Sequence, residues 1–180
     1  MPTLAGALTY GLLAEGHKVA TLGPLIHNPQ AVEDMRRKGA QVVNTVQDVP
    51  AGCEVVIRSH GVTPEVKRSV AACGLPLVDA TCPHVARAQR AAADLAEQGR
   101  HVVVVGEAGH PEVEGTMGQV ADRIYLVESV ADVAALQVDN PGQLAYVTQT
   151  TLSVDDASVI IHALRERFPQ IVGPKKDDIC

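Results

Sequence analysis

The chain has 180 residues, 46% hydrophobic and 20% charged, which is the make-up of a globular protein with one ordinary core or two small ones and excludes a disordered tail. A formal charge of −6 argues against a broad nucleic-acid or anionic-membrane surface, and 2% aromatic residues cannot build a base-stacking platform. Apolar stretches stay far below the ~18 residues of a membrane span, and the opening residues lack the basic-then-apolar pattern of an export signal, so a cytoplasmic location with reduced cysteines is expected.

Leu4 to Ala14 reads as a helix closed by Gly16, and Lys18 to Leu22 as a strand. Pro29 to Lys38 is a helix with proline near its start and Gly39 past its end. Gln41 to Asn44 and Val55 to Arg58 are strands, the second running into the turn Ser59-His60-Gly61. Pro64 to Cys73 is a helix, Leu77 to Asp79 a strand, and Pro83 opens a helix reaching about Gln98. The second half repeats the theme. His101 to Val105 is a strand, Pro111 to about Gln119 a helix carrying Gly115 and Gly118, Arg123 to Val127 a strand and Val130 to Leu136 a short helix. Leu144 to Thr148 is a strand, and Ser153 caps a helix to about Phe168 with Ala157, Ile160, Ile161 and Leu164 on one face.

Valine runs such as Val102-Val103-Val104-Val105 suit strands buried on both faces, which means parallel sheets covered by helices. The expected class is therefore α/β, in two successive βα lobes with mostly parallel sheets. The boundary is placed near Cys82, giving a first lobe over residues 1–81, a second over 82–174 and a connecting tail over 175–180.

Ligands of open α/β sheets bind beyond the carboxyl ends of the strands, so the residues that follow each strand are the candidates. These are His27, then His60, then Thr81 and Cys82, then His110 and Glu112, and finally Gln149, Thr150, Thr151 and Ser153. Histidines at glycine-bearing turns can donate to an oxygen-rich anion such as a phosphate or diphosphate, although each by itself also suits a solvated turn. Cys82, between a strand and a proline-opened helix, is placed for metal ligation or nucleophilic chemistry, or simply for burial. Glu112, two residues from His110, could relay protons or serve as a first-turn helix carboxylate. Thr150, Thr151 and Ser153 could meet substrate oxygens or cap the following helix. No phosphate-binding G-x-x-x-x-G-K-[ST], strand-linked G-x-G-x-x-G, G-x-S-x-G or H-E-x-x-H occurs. A zinc site from His27, His60, His110 and Glu112 is chemically open.

Six motifs occur in order: Leu25-Ile26-His27-Asn28-Pro29, Arg58-Ser59-His60-Gly61-Val62, Asp79-Ala80-Thr81-Cys82-Pro83, Gly109-His110-Pro111-Glu112-Val113-Glu114-Gly115, Thr148-Gln149-Thr150-Thr151-Leu152-Ser153 and Asp177-Asp178-Ile179-Cys180. Together they resemble the 4-hydroxy-3-methylbut-2-enyl diphosphate reductase family, the iron–sulfur enzymes that close the methylerythritol phosphate route to isoprenoids. The resemblance implies three similar α/β lobes around a pocket holding a [4Fe–4S] cluster on three cysteines, with the fourth iron open to the substrate's allylic hydroxyl. It implies Cys82 and Cys180 as cluster ligands, His27, His60 and His110 against the diphosphate, Glu112 as proton donor and Thr150 as a holder of substrate or ordered water. A ferredoxin or flavodoxin is the electron donor it implies, and no nucleic-acid or membrane partner.

The family opens on a strand and a G-F-C-x-G-V-type segment with the first cluster cysteine, which this sequence does not contain, and it continues beyond the last one. A fragment truncated at both ends is therefore expected, without the third lobe, with a gap at a central strand of lobe one, and poor or inactive as a reductase. Cys53 and Cys73 fall before a strand and at a helix end, away from the candidate edge, and are not expected to substitute. Two other readings stand beside this one: a non-catalytic diphosphate-binding fragment and a zinc hydrolase built on the His/Glu set.

Overall fold

In the computed structural model, residues 4–25 and 28–174 are described. They form two compact units, Met1–Cys82 and Pro83–Cys180.

The first unit runs α1 (Leu4–Ala14), β1 (Val19–Leu22), α2 (Pro29–Arg37), β2 (Gln41–Val43), a 3-10 turn at Val46–Asp48, β3 (Glu54–Ile57), α3 (Pro64–Ala72) and β4 (Leu77–Asp79). Its four strands are all parallel in the order β2-β1-β3-β4. Successive residues of a strand point to opposite faces, and both faces of this sheet are covered. Val56 and Val19 join Ala5 of α1 and Met35 of α2 in one cluster, while Val55 joins Val70 of α3 and Val46 in the other. The sheet is continuous. β1 pairs with both β2 and β3, and β3 with β4, so the expected gap at a central strand is not there. The reason is that β1 and β3, each buried along nearly its whole length, pair directly with each other.

The helix starts follow local chemistry. Asn28 Oδ1 accepts from the backbone N–H groups of Gln30 and Ala31 at 3.0 and 3.2 Å, ahead of Pro29 at the first position of α2. Thr63 accepts from the Val66 N–H at 3.4 Å, ahead of Pro64.

The second unit runs α4 (Pro83–Glu97), β5 (His101–Val105), α5 (Pro111–Met117), β6 (Ile124–Val127), α6 (Val130–Ala135), a 3-10 turn at Pro141–Gln143, β7 (Leu144–Thr148) and α7 (Val154–Arg167). Its sheet is parallel in the order β6-β5-β7, and Val172 bridges to Ala145 on the outer side of β7. The valine run of β5 divides by parity. Val103 and Val105 pack with Leu144, Tyr146, Leu164 and Phe168, while Val102 and Val104 pack with Ala92, Val113 and Val147. Each of these four valines has at most 1% of its surface exposed, and full burial of such a side chain is worth about 1.5–3 kcal/mol.

One local expectation changes. Ser153 stands at the start of α7, but its side chain makes no capping hydrogen bond there; Asp155 and Asp156 supply the first-turn negative charge that suits the helix dipole. His101 is buried, with its Nδ1 3.2 Å from the Tyr125 hydroxyl.

Candidate active site at the carboxyl ends of the strands

Within each unit all strands are parallel, so the turns that follow them lie along one edge of each sheet. In the second unit that edge carries a buried carboxyl group. Gly106 follows β5, where a Cβ would sit 2.6 Å from Val113 Cγ2 and 3.0 Å from Gln149 Oε1. The absence of a side chain lets α5 pack hard against the strand end. His110 starts α5, its Nδ1 accepting from the Glu112 N–H at 3.2 Å. In the first turn of the helix, Glu112 is 1% exposed. Its Oε1 accepts from the Thr150 N–H at 2.7 Å, and its Oε2 from the Thr150 hydroxyl at 3.1 Å. Burial pushes the Glu112 carboxyl above its ordinary range, against the opposing pull of the two Thr150 hydrogen bonds and of His110.

The turn after β7 is itself tied down. Gln149 Oε1 accepts from the Glu107 N–H at 2.9 Å, and Gln149 Nε2 donates to the Thr151 hydroxyl at 2.8 Å. Gln149 is 3% exposed and Thr150 2%. The Thr148 hydroxyl oxygen, one residue earlier, is buried with no hydrogen-bond partner among the described residues. The sequence placed Gln149 at this edge without assigning it a role; its structural role is to tie the turn after β7 to the turn after β5.

In the first unit the same edge holds two adjoining turns. The Gly61 N–H donates to Arg58 O at 3.0 Å, and the Cys82 N–H donates to Ser59 O at 2.9 Å, so the His60 turn and the Cys82 turn are hydrogen-bonded neighbours. Asp79 steadies the second turn. Its Oδ1 accepts from the Thr81 N–H at 3.0 Å, and its Oδ2 from Lys67 Nζ at 2.7 Å. Burial would raise the Asp79 carboxyl, but Lys67 and Thr81 outweigh it and hold the group below its ordinary range. His27 and Cys180 lie outside the described residues.

Cys82 is a free, half-buried thiol at the carboxyl edge, which suits a thiolate ligand. Cys53, 1% exposed ahead of β3, and Cys73, exposed after α3, both sit at the opposite edge of that sheet. Among the described residues no three His, Cys, Asp or Glu side chains gather as a metal ion requires. Cys82 is thus the one cysteine among them at the carboxyl edge, and they form no zinc donor set. No helix among them is long and apolar enough to cross a membrane.

The sequence matches a family described as LytB protein over residues 5–180. It is 56% identical over 156 residues to a 4-hydroxy-3-methylbut-2-enyl diphosphate reductase of Azoarcus sp. (strain BH72), covering 87% of this chain and 50% of that one. It is 52% identical over 159 residues to the reductase of the same description in Nitrosomonas europaea, covering 87% and 49%. Among solved structures, the E-1-hydroxy-2-methyl-but-2-enyl-4-diphosphate reductase of Plasmodium falciparum superposes with a TM-score of 0.93 at 28% identity, covering 98% of this chain and 56% of that one. A structure described as (E)-4-hydroxy-3-methyl-but-2-enyl diphosphate reductase, the terminal enzyme of the non-mevalonate pathway, superposes at 0.83 with 33% identity, covering 98% and 62%. The chain thus spans about half the length of the curated relatives it matches.

Proposed function

The chain belongs to the LytB protein family, and from that premise we propose that it carries part of the machinery for reductive dehydroxylation of (E)-4-hydroxy-3-methylbut-2-enyl diphosphate to isopentenyl and dimethylallyl diphosphate. The reaction breaks the allylic C–O bond, takes up two electrons and two protons, and releases the hydroxyl as water. One proton goes to the departing oxygen and one to carbon, and the choice of carbon gives the two products. A [4Fe–4S] cluster, when bound, would relay the electrons one at a time from the donor and offer a Lewis-acid iron to the hydroxyl. Cys82 and Cys180 are the residues of this chain that would hold it. A ferredoxin or flavodoxin in the same cytoplasmic compartment is the one-electron donor that fits.

The observation that carries this reading is the Glu112–Thr150 pair. A carboxyl whose affinity for the proton is raised by burial is suited to proton delivery, and Thr150 fixes which oxygen faces which way. Thr150 then has the second role of meeting a substrate oxygen or ordered water. His60 and His110, at strand-end turns, are assigned with His27 to the diphosphate, whose charge imidazole N–H groups and helix N-termini can offset. The zinc reading lacks support from the described residues, since Glu112 is engaged by Thr150 and no three-residue donor set forms.

Anaerobic reconstitution with iron and sulfide tests the ligand assignment, with iron, acid-labile sulfide and visible absorbance measured per chain. With two assigned thiolates the expected content is below four iron and four sulfide, and it falls further in Cys82→Ser and in Cys180→Ser. Iron and sulfide unchanged by both substitutions would overturn the assignment. Turnover assayed with a low-potential reductant then tests the proton donor, with Glu112→Gln expected to lower any activity by about 10²-fold or more.

A further inference from the structure

A cleft of about 400 Å³ opens on the α3 side of the first sheet, beyond the ends of β1 and β2, and contains none of the histidine, cysteine or glutamate candidates above. Val46, Val62 and Val66 form an apolar part of its lining beside the polar Asn44, Thr45 and Gln47, and its one cation is Arg58, the residue that follows β3. Arg58 is half-buried, and its Nε is buried with no hydrogen-bond partner among the described residues. Among the described residues no ion pair forms at its guanidinium. A buried guanidinium N–H without an acceptor is costly, because it leaves water and gains no partner in return.

The surroundings hold the group in place. Gly23, with φ of +72°, turns the chain after β1, and a Cβ there would lie 3.4 Å from Arg58 Nη1. The turn is pinned from both sides: the Gly23 N–H donates to Val43 O at 2.8 Å, and the Thr21 hydroxyl donates to Gly23 O at 2.9 Å. Glu65 stands exposed on the lining of the same cleft, at the first turn of α3, and Ser69 lies one turn further along.

We propose that this cleft binds a small organic anion, its oxyanion head taken by the Arg58 guanidinium and its short hydrocarbon body held between Val46, Val62 and Val66. A planar guanidinium takes a carboxylate or a phosphoryl group through two parallel hydrogen bonds, and either head satisfies the buried Nε. A valine wall rewards a branched aliphatic body over a bare ion. Glu65 disfavours a multiply charged head, so a monoanion is preferred.

The experiment is a titration of the full chain, followed by calorimetry and by amide NMR shifts, with four probes: isovalerate, isopentyl monophosphate, acetate and inorganic phosphate. The expected result is that one or both branched probes bind at least about tenfold more tightly than the bare ion with the same head, with shifts confined to residues lining the cleft. The isovalerate-to-isopentyl-monophosphate ratio identifies the head as carboxylate or phosphate. Arg58→Gln and Val66→Phe are each expected to abolish the shifts while the far-UV spectrum and Tm show a folded chain. Glu65→Gln is expected to tighten binding. Equal binding of branched and bare ions, retention of binding in Arg58→Gln, or binding that appears only in Glu65→Gln would each overturn the proposal, the last because it would mean that Arg58 pairs with Glu65 in solution.

Discussion

A carboxyl group that loses nearly all contact with water must either keep its proton or find donors for its charge, and Glu112 does some of both. Burial raises its affinity for the proton, while the Thr150 N–H and hydroxyl lower it, and burial wins. The consequence for stability follows from linkage. The folded carboxyl binds its proton more tightly than the unfolded one, so the associated stability is fully present below the ordinary carboxyl range. It is lost as pH rises through the raised folded value. Glu112→Gln cannot ionise and can still offer an acceptor to the Thr150 N–H. Thermal melts across pH are therefore expected to show the wild type losing Tm relative to this variant as pH rises. Parallel curves would mean that the carboxyl is not perturbed by its site. The same group explains why the Thr148–Gln149–Thr150 segment is hydrogen-bonded so heavily: each bond restricts the turn that delivers two donors to one carboxylate.

At the scale of elements, the contact between α5 and the end of β5 sets where Glu112 stands. Gly106 is what permits it, since a methyl there meets Val113 Cγ2 at 2.6 Å. Val113 is 2% exposed and β-branched, so it cannot swing away. Gly106→Ala is expected to cost about 1–3 kcal/mol as α5 is forced outward. Differential scanning calorimetry should read this as a Tm lower by several degrees, and the Glu112–Thr150 contact should loosen with it. A Tm unchanged within error would show that α5 can shift without penalty. In the first unit the comparable device is Asp79, which ties the end of β4 to α3 through Lys67 and to the Cys82 turn through Thr81. Half of that link is exposed, so Lys67 contributes chiefly orientation and little stability.

At the scale of the whole molecule, two sheets with helices on both faces bury a valine-rich core, and one helix departs from the pattern. The segment α1 carries no charged residue, buries Ala5, Gly6 and Thr9, and leaves Leu4 49% and Leu8 36% exposed. A helix apolar on all sides is ordinarily covered on all sides. Leu77 in β4, an edge strand of the same sheet, is 38% exposed as well. Exposed apolar surface beside an unpaired strand edge favours self-association. Light scattering at rising concentration is expected to show association by the wild type, and Leu8→Lys is expected to raise the concentration at which it begins. A wild-type chain that stays monomeric at high concentration would overturn this.

The alternation of strand and helix was legible in the sequence because it rests on local chemistry. Prolines open α2, α3, α4 and α5, glycines follow several helices, and valine runs mark strands too apolar to face water on either side. The ordered motifs around His60, Cys82, Glu112 and Thr150 were legible for a related reason: each sits at a strand-to-helix turn, where few residue types satisfy the backbone. What the sequence did not contain was the pairing order of the strands. That order is a matter of which buried strands meet, and it produced a continuous β2-β1-β3-β4 sheet in place of an expected gap. Nor did it contain the partner of Glu112. Thirty-eight residues separate that carboxyl from Thr150, and only the parallel pairing of β5 with β7 brings their turns together. Local sequence determines which residues reach the carboxyl edge; long-range packing decides which of them touch, how far each is removed from water, and so which one binds its proton more tightly.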